Sequence, residues 1–154
     1  MINPIDARLS ELGIDLPAAP APAANYVPYV IAGDLVFVSG QVSMNSEGFI
    51  CGKLGDDMDA DAGALAARTC ALGLLAQVRA ACGGDFARLV RVVKLTGFVN
   101  STADFGDQPK VINGASDLLV EVLGDAGRHS RSAVSAASLP FGVAVEIEGI
   151  FQIR

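Results

Sequence analysis

The sequence predicts an α+β domain in which two long helices cover one face of a mixed β-sheet. Strand-like runs rich in Val, Ile, Tyr and Phe lie before the first long helix, between the two helices and at the end of the chain. Two amphipathic segments, rich in Ala, Leu and Val, alternate with them, and each is followed by glycine. The predicted order is β-β-(β)-α-β-α-β-β, with a short helix ahead of it.

Length and composition indicate one compact domain. The chain has 154 residues, of which 51% are hydrophobic and 18% charged, far from the composition of disordered proteins. Its formal net charge of −6 argues against nucleic-acid binding, which needs clustered Lys and Arg. The N-terminus lacks the pattern of a signal peptide, and no run is long and apolar enough for a membrane span. We therefore expect a cytoplasmic protein with no membrane partner.

The first third contains a helix, a connector and two strands. Residues 4–13 predict a short helix that ends at Gly13, and "LPAAPAPAAN" predicts an extended connector because each proline fixes φ. We therefore divide the chain into an N-terminal segment, 1–24, and a single domain, 25–154. The runs "YVPYVIAG" and "LVFVSGQVS" predict two strands joined by a turn at Gly33-Asp34, and "GFICGKLG" predicts a short third strand.

The middle of the chain predicts two helices around a buried strand. Asp59 or Asp61 caps the first helix, which continues to about Ala81. Its predicted buried stripe consists of Leu65, Thr69, Leu72, Leu75 and Ala76. The apolar run 89–99 predicts an interior strand. The second helix starts at Asp107, with Pro109 in its first turn, and ends at Gly124. "SRSAVSAA" and "VAVEIEGIFQI" predict the last two strands.

Arg131 is a candidate ligand-binding residue. It shares a strand face with Ala133 and Ser135, because side chains alternate along a strand. An arginine beside such small residues leaves room for a small anion, which its forked donors match bidentately. The alternative is a surface ion pair with Asp125 or Glu148.

Four further features bear on chemistry. Glu146 and Glu148 share a strand face, which suits either acid–base catalysis or a solvated polar face. "SGQ", with Ser39 and Gly40, ends a predicted strand and either presents backbone N–H groups to an anion or turns the chain. His129 is the only histidine and lies in a polar loop, where we expect it to be exposed. The three cysteines form no CxxC or Cys/His cluster, so we expect no metal site.

Three motifs together resemble one family. They are "VSGQV", "GFVNSTADF" and, most specific, "SRSAV" followed by "LP" and "VEIEGI". In this pattern the sequence resembles the Rid family of reactive intermediate deaminases, also called YjgF-like and formerly labelled endoribonuclease L-PSP or translation initiation inhibitor. The resemblance covers residues 25–154 and is closest to a longer branch of the family.

The resemblance implies a fold and an activity. The fold is α+β and chorismate-mutase-like, and it assembles as a homotrimer with the sheets in a central barrel and the helices outside. Small-molecule sites lie in the clefts between subunits. Members hydrolyse 2-imino or enamine acids to 2-keto acids and ammonia, with no cofactor or metal.

By position, the resemblance assigns Arg131 to clamping the substrate carboxylate and Glu146 to orienting the attacking water. It also assigns the pocket lining to Tyr29, from a neighbouring subunit, and to Ser39, Gly40, Asn113 and Ala133. Ala133 stands where the typical deaminases have cysteine, which leaves turnover open. One alternative is a non-catalytic protein that binds or senses small carboxylates. Another is the ribonuclease or translation-inhibitor activity attached to the family, against which the acidic charge argues.

Overall fold

The computed structural model describes residues 2–19 and 25–154, and its elements follow the predicted order. The helices are α1 (Pro4–Glu11), α2 (Ala60–Ala81) and α3 (Gln108–Leu123). The strands are β1 (Tyr29–Ala32), β2 (Leu35–Val42), β3 (Met44–Asn45), β4 (Gly48–Phe49), β5 (Leu89–Asn100), β6 (Ser130–Ala136) and β7 (Val145–Ile153). Residues 20–24 of the predicted connector lie outside the described part of the chain.

The ends of the long helices agree with the predicted capping residues. Asp59 caps α2, because its carboxylate accepts a hydrogen bond from the Ala62 N–H group at 2.8 Å. Gly124 ends α3 with a φ of 63°, a left-handed conformation that glycine adopts without steric cost. Asp107 occupies the predicted N-cap position of α3, but its side chain makes no capping hydrogen bond. The start of α3 therefore relies more on Pro109, whose fixed φ suits a first helical turn.

Helix α1 packs against the rest of the domain. Leu9 is 4% exposed and belongs to the main hydrophobic core. An ion pair of 2.6 Å joins Asp6 to Arg79 at the end of α2. The Arg8 side chain also donates to the Glu121 carbonyl of α3 at 3.1 Å. The N-terminal helix is thus held by both long helices.

Five strands form one mixed sheet in the order β1-β2-β7-β5-β6. Neighbouring strands are antiparallel except β5 and β6, which run parallel. A parallel pair requires a crossover connection, and α3 provides it. Strands β3 and β4 form a separate hairpin. Strand β6 consequently lies at one edge of the large sheet, and β1 lies at the other.

The core lies between the helices and one face of this sheet. Strand β7 alternates as predicted, and its buried residues are Val145, Ile147, Gly149, Phe151 and Ile153. Pairing across β7 and β5 places Glu146, Phe98 and Val134 on the opposite face. No helix among the described residues covers that face, and its exposed large apolar side chains are Val30, Phe37 and Val134.

Helix α2 packs through small side chains rather than through the predicted leucine stripe. The predictions for Leu75 and Ala76 are confirmed, Thr69 and Leu72 are half-buried, and the prediction for Leu65 is wrong, since Leu65 is 67% exposed. The buried residues of the helix are Gly63, Ala66, Ala67, Cys70, Ala71, Leu74, Leu75, Ala76, Gln77, Val78 and Ala81. Small residues let the helix approach its neighbours closely. At the α2–α3 contact, Gly114 lies so near α2 that a Cβ on it would overlap the Ala64 carbonyl group.

The cysteines differ in exposure. Cys51 is exposed, whereas Cys70 and Cys82 are buried and reduced. The Cys70 thiol faces the Val145 carbonyl at 3.6 Å, and burial raises the pKa of both Cys70 and Cys82. Among the described helices, none is both long and apolar enough to cross a membrane.

We predict that Gly114→Ala destabilises the protein by about 1–3 kcal/mol, because the added methyl group forces α2 and α3 apart. Gly106→Ala is the control: a Cβ there meets no atom within 4 Å, and we expect a change below about 0.5 kcal/mol. Urea unfolding at equilibrium measures both. Equal stability of the two variants would contradict the close helix contact.

Candidate functional site

Arg131 lies on edge strand β6, and its guanidinium is held by α3. Its pairing with the buried Leu95 places it on the helix-covered face of the sheet. Nη1 donates to the Ser116 hydroxyl at 3.0 Å, and Nη2 donates to the Pro109 carbonyl at 3.3 Å. Both anchors are on α3, so the helix and the strand together fix the direction of the arginine.

The described residues provide no acidic partner for Arg131 within ion-pair distance. The alternative ion pair with Asp125 is therefore not formed, because Asp125 contacts Arg128 instead, at 3.4 Å. Nor does Glu148 form it, since its strand position places it on the opposite face of the sheet. A guanidinium has five N–H donors. Two are used by Ser116 and Pro109, which leaves three for a ligand.

Ser116 connects Arg131 to His129. The His129 ring lies with Nδ1 2.6 Å from the Gly127 carbonyl and with Nε2 2.9 Å from the Ser116 hydroxyl. A carbonyl only accepts hydrogen bonds, so Nδ1 carries the ring hydrogen and Nε2 accepts from Ser116. His129 is half-buried rather than exposed, which corrects the sequence expectation. Sequence analysis missed Ser116 entirely.

The electrostatic environment favours the neutral form of His129. Burial lowers its pKa. The hydrogen bond to the Gly127 carbonyl opposes this shift, and the positive charge of Arg131 adds to it. The ring is therefore uncharged at neutral pH, as an acceptor at Nε2 requires.

Two further predicted residues lie near Arg131. Ala133 is on the same face of β6, half-buried against the core. Asn113 lies on α3 four residues after Pro109 and three before Ser116, and therefore on the helix side that faces the arginine. Its side chain is exposed. The structure thus brings Arg131, Ala133 and Asn113 to one region. We call these three residues and Ser116 the arginine site.

Glu146 lies elsewhere, on the helix-free face in the middle of the sheet. It pairs with Val42 of β2, next to an irregularity between Val38 and Gln41. The Glu146 carboxylate lies over Gly40, where a Cβ would overlap its Oε2 atom. Burial raises the pKa of Glu146, and the nearby negative charge of Glu148 raises it further. Gly40 thus provides the space that this partly desolvated carboxylate occupies.

Ser39 and Gly40 lie within β2, not at a strand end as predicted. They form the irregular part of the strand, where two residues oppose Glu148 alone. The Ser39 N–H group donates to the Pro28 carbonyl at 2.9 Å, and its hydroxyl donates to the Val27 carbonyl at 2.8 Å. The N–H and hydroxyl groups of Ser39 therefore hold the chain before β1. Gly40 is the residue that faces Glu146.

Tyr29 opens β1, at the sheet edge farthest from Arg131. Four strand spacings separate the two edges, or about 19 Å at roughly 4.8 Å each. The predicted site residues therefore occupy three places in one chain. They are the arginine site, the Gly40–Glu146 pair on the opposite face, and Tyr29 at the distant edge.

A cavity of about 350 Å³ lies at the carboxyl ends of β5 and β6. Lys53 lines it and donates to the Asn100 side chain at 3.1 Å and to the Ala137 carbonyl at 2.6 Å. Ser135 also lines it, from the same strand face as Arg131. Within residues 2–19 and 25–154, no group of three or more His, Cys, Asp or Glu side chains is arranged to hold a metal ion.

Comparison with known proteins gives evidence on the family of this chain that is independent of the site geometry. Residues 6–147 match the sequence family described as "YjgF/chorismate mutase-like, putative endoribonuclease". Protein TCP17 from Trypanosoma cruzi is 49% identical over 152 residues, which cover 97% of this chain and 94% of that protein. A 2-iminobutanoate/2-iminopropanoate deaminase from Dermatophagoides farinae is 28% identical over 143 residues, covering 92% and 95%.

A solved structure has the same fold. The crystal structure of a protein of unknown function from Agrobacterium tumefaciens superimposes with a TM-score of 0.91 at 49% identity, covering 98% of this chain and 93% of that one. The family match spans nearly the whole chain, and the fold has the mixed sheet and helices that the motifs predict. The chain therefore belongs to the YjgF/L-PSP family.

Proposed function

We propose that the protein hydrolyses small 2-imino or enamine acids to 2-keto acids and ammonia. The observation that carries this proposal is Arg131, anchored by α3, with three N–H donors free and no acidic partner among the described residues. Such a group is suited to binding a carboxylate bidentately. The deaminase from Dermatophagoides farinae, similar over most of both chains, supports imine hydrolysis as the reaction.

The proposed site is completed by neighbouring copies in a homotrimer. Within one chain, Arg131 and Glu146 project from opposite faces of the sheet, and Tyr29 lies at the far edge. A neighbouring copy that places its own sheet against the edge strand β6 would supply the missing residues. The apolar side chains on the helix-free face, Val30, Phe37 and Val134, support such packing, because burying them in an interface removes them from water.

In the proposed mechanism, Arg131 binds the substrate carboxylate and holds the imine carbon beside one water molecule. Glu146 of an adjacent copy orients this water and accepts its proton as the oxygen attacks the carbon. A C–O bond forms, and proton transfer to nitrogen gives a carbinolamine. Glu146 then takes the second proton from the oxygen and passes it to the same nitrogen, so the C–N bond breaks, neutral ammonia leaves and the C=O bond of the 2-keto acid forms. An imine carbon is already electrophilic, so no covalent nucleophile is needed.

A second candidate is binding of small carboxylates without turnover. Ala133, which replaces the typical cysteine, favours it, because that wall of the arginine site then carries only a methyl group. Both candidates use the same arginine, and they differ in whether ammonia is released.

The assembly predicts that Phe37→Asp breaks the trimer. The substitution places a charge on the helix-free face, where desolvating it in an interface is costly. Leu65→Asp is the matched control, because Leu65 is exposed on the helical side. Sedimentation equilibrium measures the mass: we expect three chains for the wild type and for Leu65→Asp, and fewer for Phe37→Asp. A monomeric wild type would contradict the proposed assembly.

The mechanism predicts that Arg131→Ala lowers kcat/KM by at least about 30-fold, since truncating one side of a buried charge pair costs about 2–5 kcal/mol. Ammonia release is followed while an amino-acid oxidase generates the imino acid in place. Arg128→Ala is the control, because that neighbouring side chain is exposed and pairs with Asp125 at 3.4 Å. If the wild type binds pyruvate but leaves the spontaneous rate of imine hydrolysis unchanged, the binding function replaces the enzymatic one.

The raised pKa of Glu146 predicts the acid limb of the pH profile. Glu146 must be ionised to accept a proton, so kcat/KM falls as the pH drops through its pKa, above the ordinary value of 4.5. Glu148→Gln removes one of the two causes and should move this limb to lower pH. Glu47→Gln, an exposed glutamate in the β3–β4 turn, should leave it in place. A limb that stays put or moves upward in Glu148→Gln would exclude Glu146 as the proton acceptor.

A further inference from the structure

We propose that Ser116 and His129 are positioning residues, which form a hydrogen-bond relay that fixes the Arg131 guanidinium for carboxylate binding. The inference rests on the proposed function only in that Arg131 binds the substrate carboxylate. The relay runs from Arg131 Nη1 to Ser116 Oγ at 3.0 Å, from Ser116 to His129 Nε2 at 2.9 Å, and from His129 Nδ1 to the Gly127 carbonyl at 2.6 Å.

The donors and acceptors of this relay allow one arrangement with a neutral ring. The Gly127 carbonyl can only accept, so His129 donates from Nδ1 and accepts at Nε2. Ser116 is the donor to Nε2, which leaves its oxygen lone pairs for Arg131, a group that only donates. Each member therefore fixes the orientation of the next, from the backbone to the guanidinium.

The relay acts by restricting the free arginine before the ligand arrives. An unanchored arginine side chain samples many rotamers, and binding would otherwise have to remove that conformational entropy. Anchors on Ser116 and Pro109 confine the guanidinium in advance. Because the carboxylate is held equally in the substrate and in the transition state, loss of the relay should raise KM and leave kcat nearly unchanged.

The relay also depends on pH, because the His129 ring can be protonated. Arg131 and Arg128 flank it on its own strand and loop, and Arg91 of β5 donates to the Arg128 carbonyl at 2.6 Å. The other charged groups of the packed elements are Lys94 on β5, Lys110, Asp117 and Glu121 on α3, Asp125 before the loop, and Asp34, which lines one surface cavity together with His129. Besides burial, the positive charge of Arg131 lowers the pKa of the ring. Protonation turns Nε2 into a donor, so both neighbours of Ser116 then donate to it and the fixed order is lost.

Two matched pairs of variants test the relay. Ser116→Ala removes the hydroxyl, and we expect it to raise KM for 2-iminopropanoate and Kd for pyruvate about tenfold, since the guanidinium loses the hydrogen bond that fixes it before binding. Ser116→Thr keeps a hydroxyl and should retain most of the affinity. His129→Gln keeps an acceptor for Ser116 and should bind nearly as the wild type does at pH 7.5, whereas His129→Leu should match Ser116→Ala.

The pH dependence and the double variant give readouts that a purely structural role would not change. In the wild type, KM should rise as the pH falls through the lowered pKa of His129, and in His129→Gln it should not. Ser116→Ala/His129→Leu should be no worse than either single change, because the two residues act as one unit. Calorimetry with pyruvate and the coupled ammonia assay measure both, on variants whose thermal unfolding has been recorded.

The outcomes separate the relay from the function. If Arg131→Ala abolishes turnover while Ser116→Ala and His129→Leu leave KM and Kd unchanged, the relay is wrong and the proposed function stands. Additive effects in the double variant would also overturn the relay. If Arg131→Ala changes neither turnover nor pyruvate binding, the proposed function itself fails.

Discussion

The parallel pairing of β5 and β6 is the constraint on which the arginine site depends. A parallel neighbour requires a crossover, and the crossover here is α3, whose first half lies beside the edge strand. The pairing of Arg131 with Leu95 sets the side of the sheet on which the arginine lies, and α3 provides both of its anchors. The close α2–α3 contact at Gly114 in turn holds α3 against the rest of the core. Sheet topology, helix packing and the proposed carboxylate binding are therefore linked in this region.

The second half of the proposed chemistry follows from a different local feature. The irregularity in β2 interrupts regular pairing with β7, and Gly40 leaves room there for the Glu146 carboxylate. Partial burial of a carboxylate next to a second one raises its pKa, which is the property that acid–base work requires. The parallel β5–β6 pair thus positions Arg131, and the irregularity in β2 makes room for Glu146, on opposite faces of one sheet. Only an assembly of several copies would bring these two groups together.

Much of the fold was predictable because it follows from local rules. Asp59 and Gly124 mark helix ends through capping and a left-handed backbone, and the alternation in β7 identifies its buried side. The exposure of Leu65 was not predictable in this way, since the Ala-rich face of α2 packs more closely than a leucine stripe would. Of the candidate site, Arg131 and Glu146 came from the family signature. Their separation on two faces depends on strand register, and the pairing of Ser116 with His129 depends on how α3 lies over β6. The spacing of Ser116, three residues after Asn113, was the one local signal for it.

The burial of Cys70 allows local opening of the fold to be measured. Its thiol faces the Val145 carbonyl, one residue before Glu146, and it is shielded from thiolate chemistry as long as α2 lies on β7. Alkylating reagents should therefore modify the exposed Cys51 at once, and Cys70 only when the helix lifts from the strand. In a Cys51→Ser/Cys82→Ser background, where Cys70 is the remaining thiol, the rate of its modification would report the frequency of local opening beneath the strand that carries Glu146.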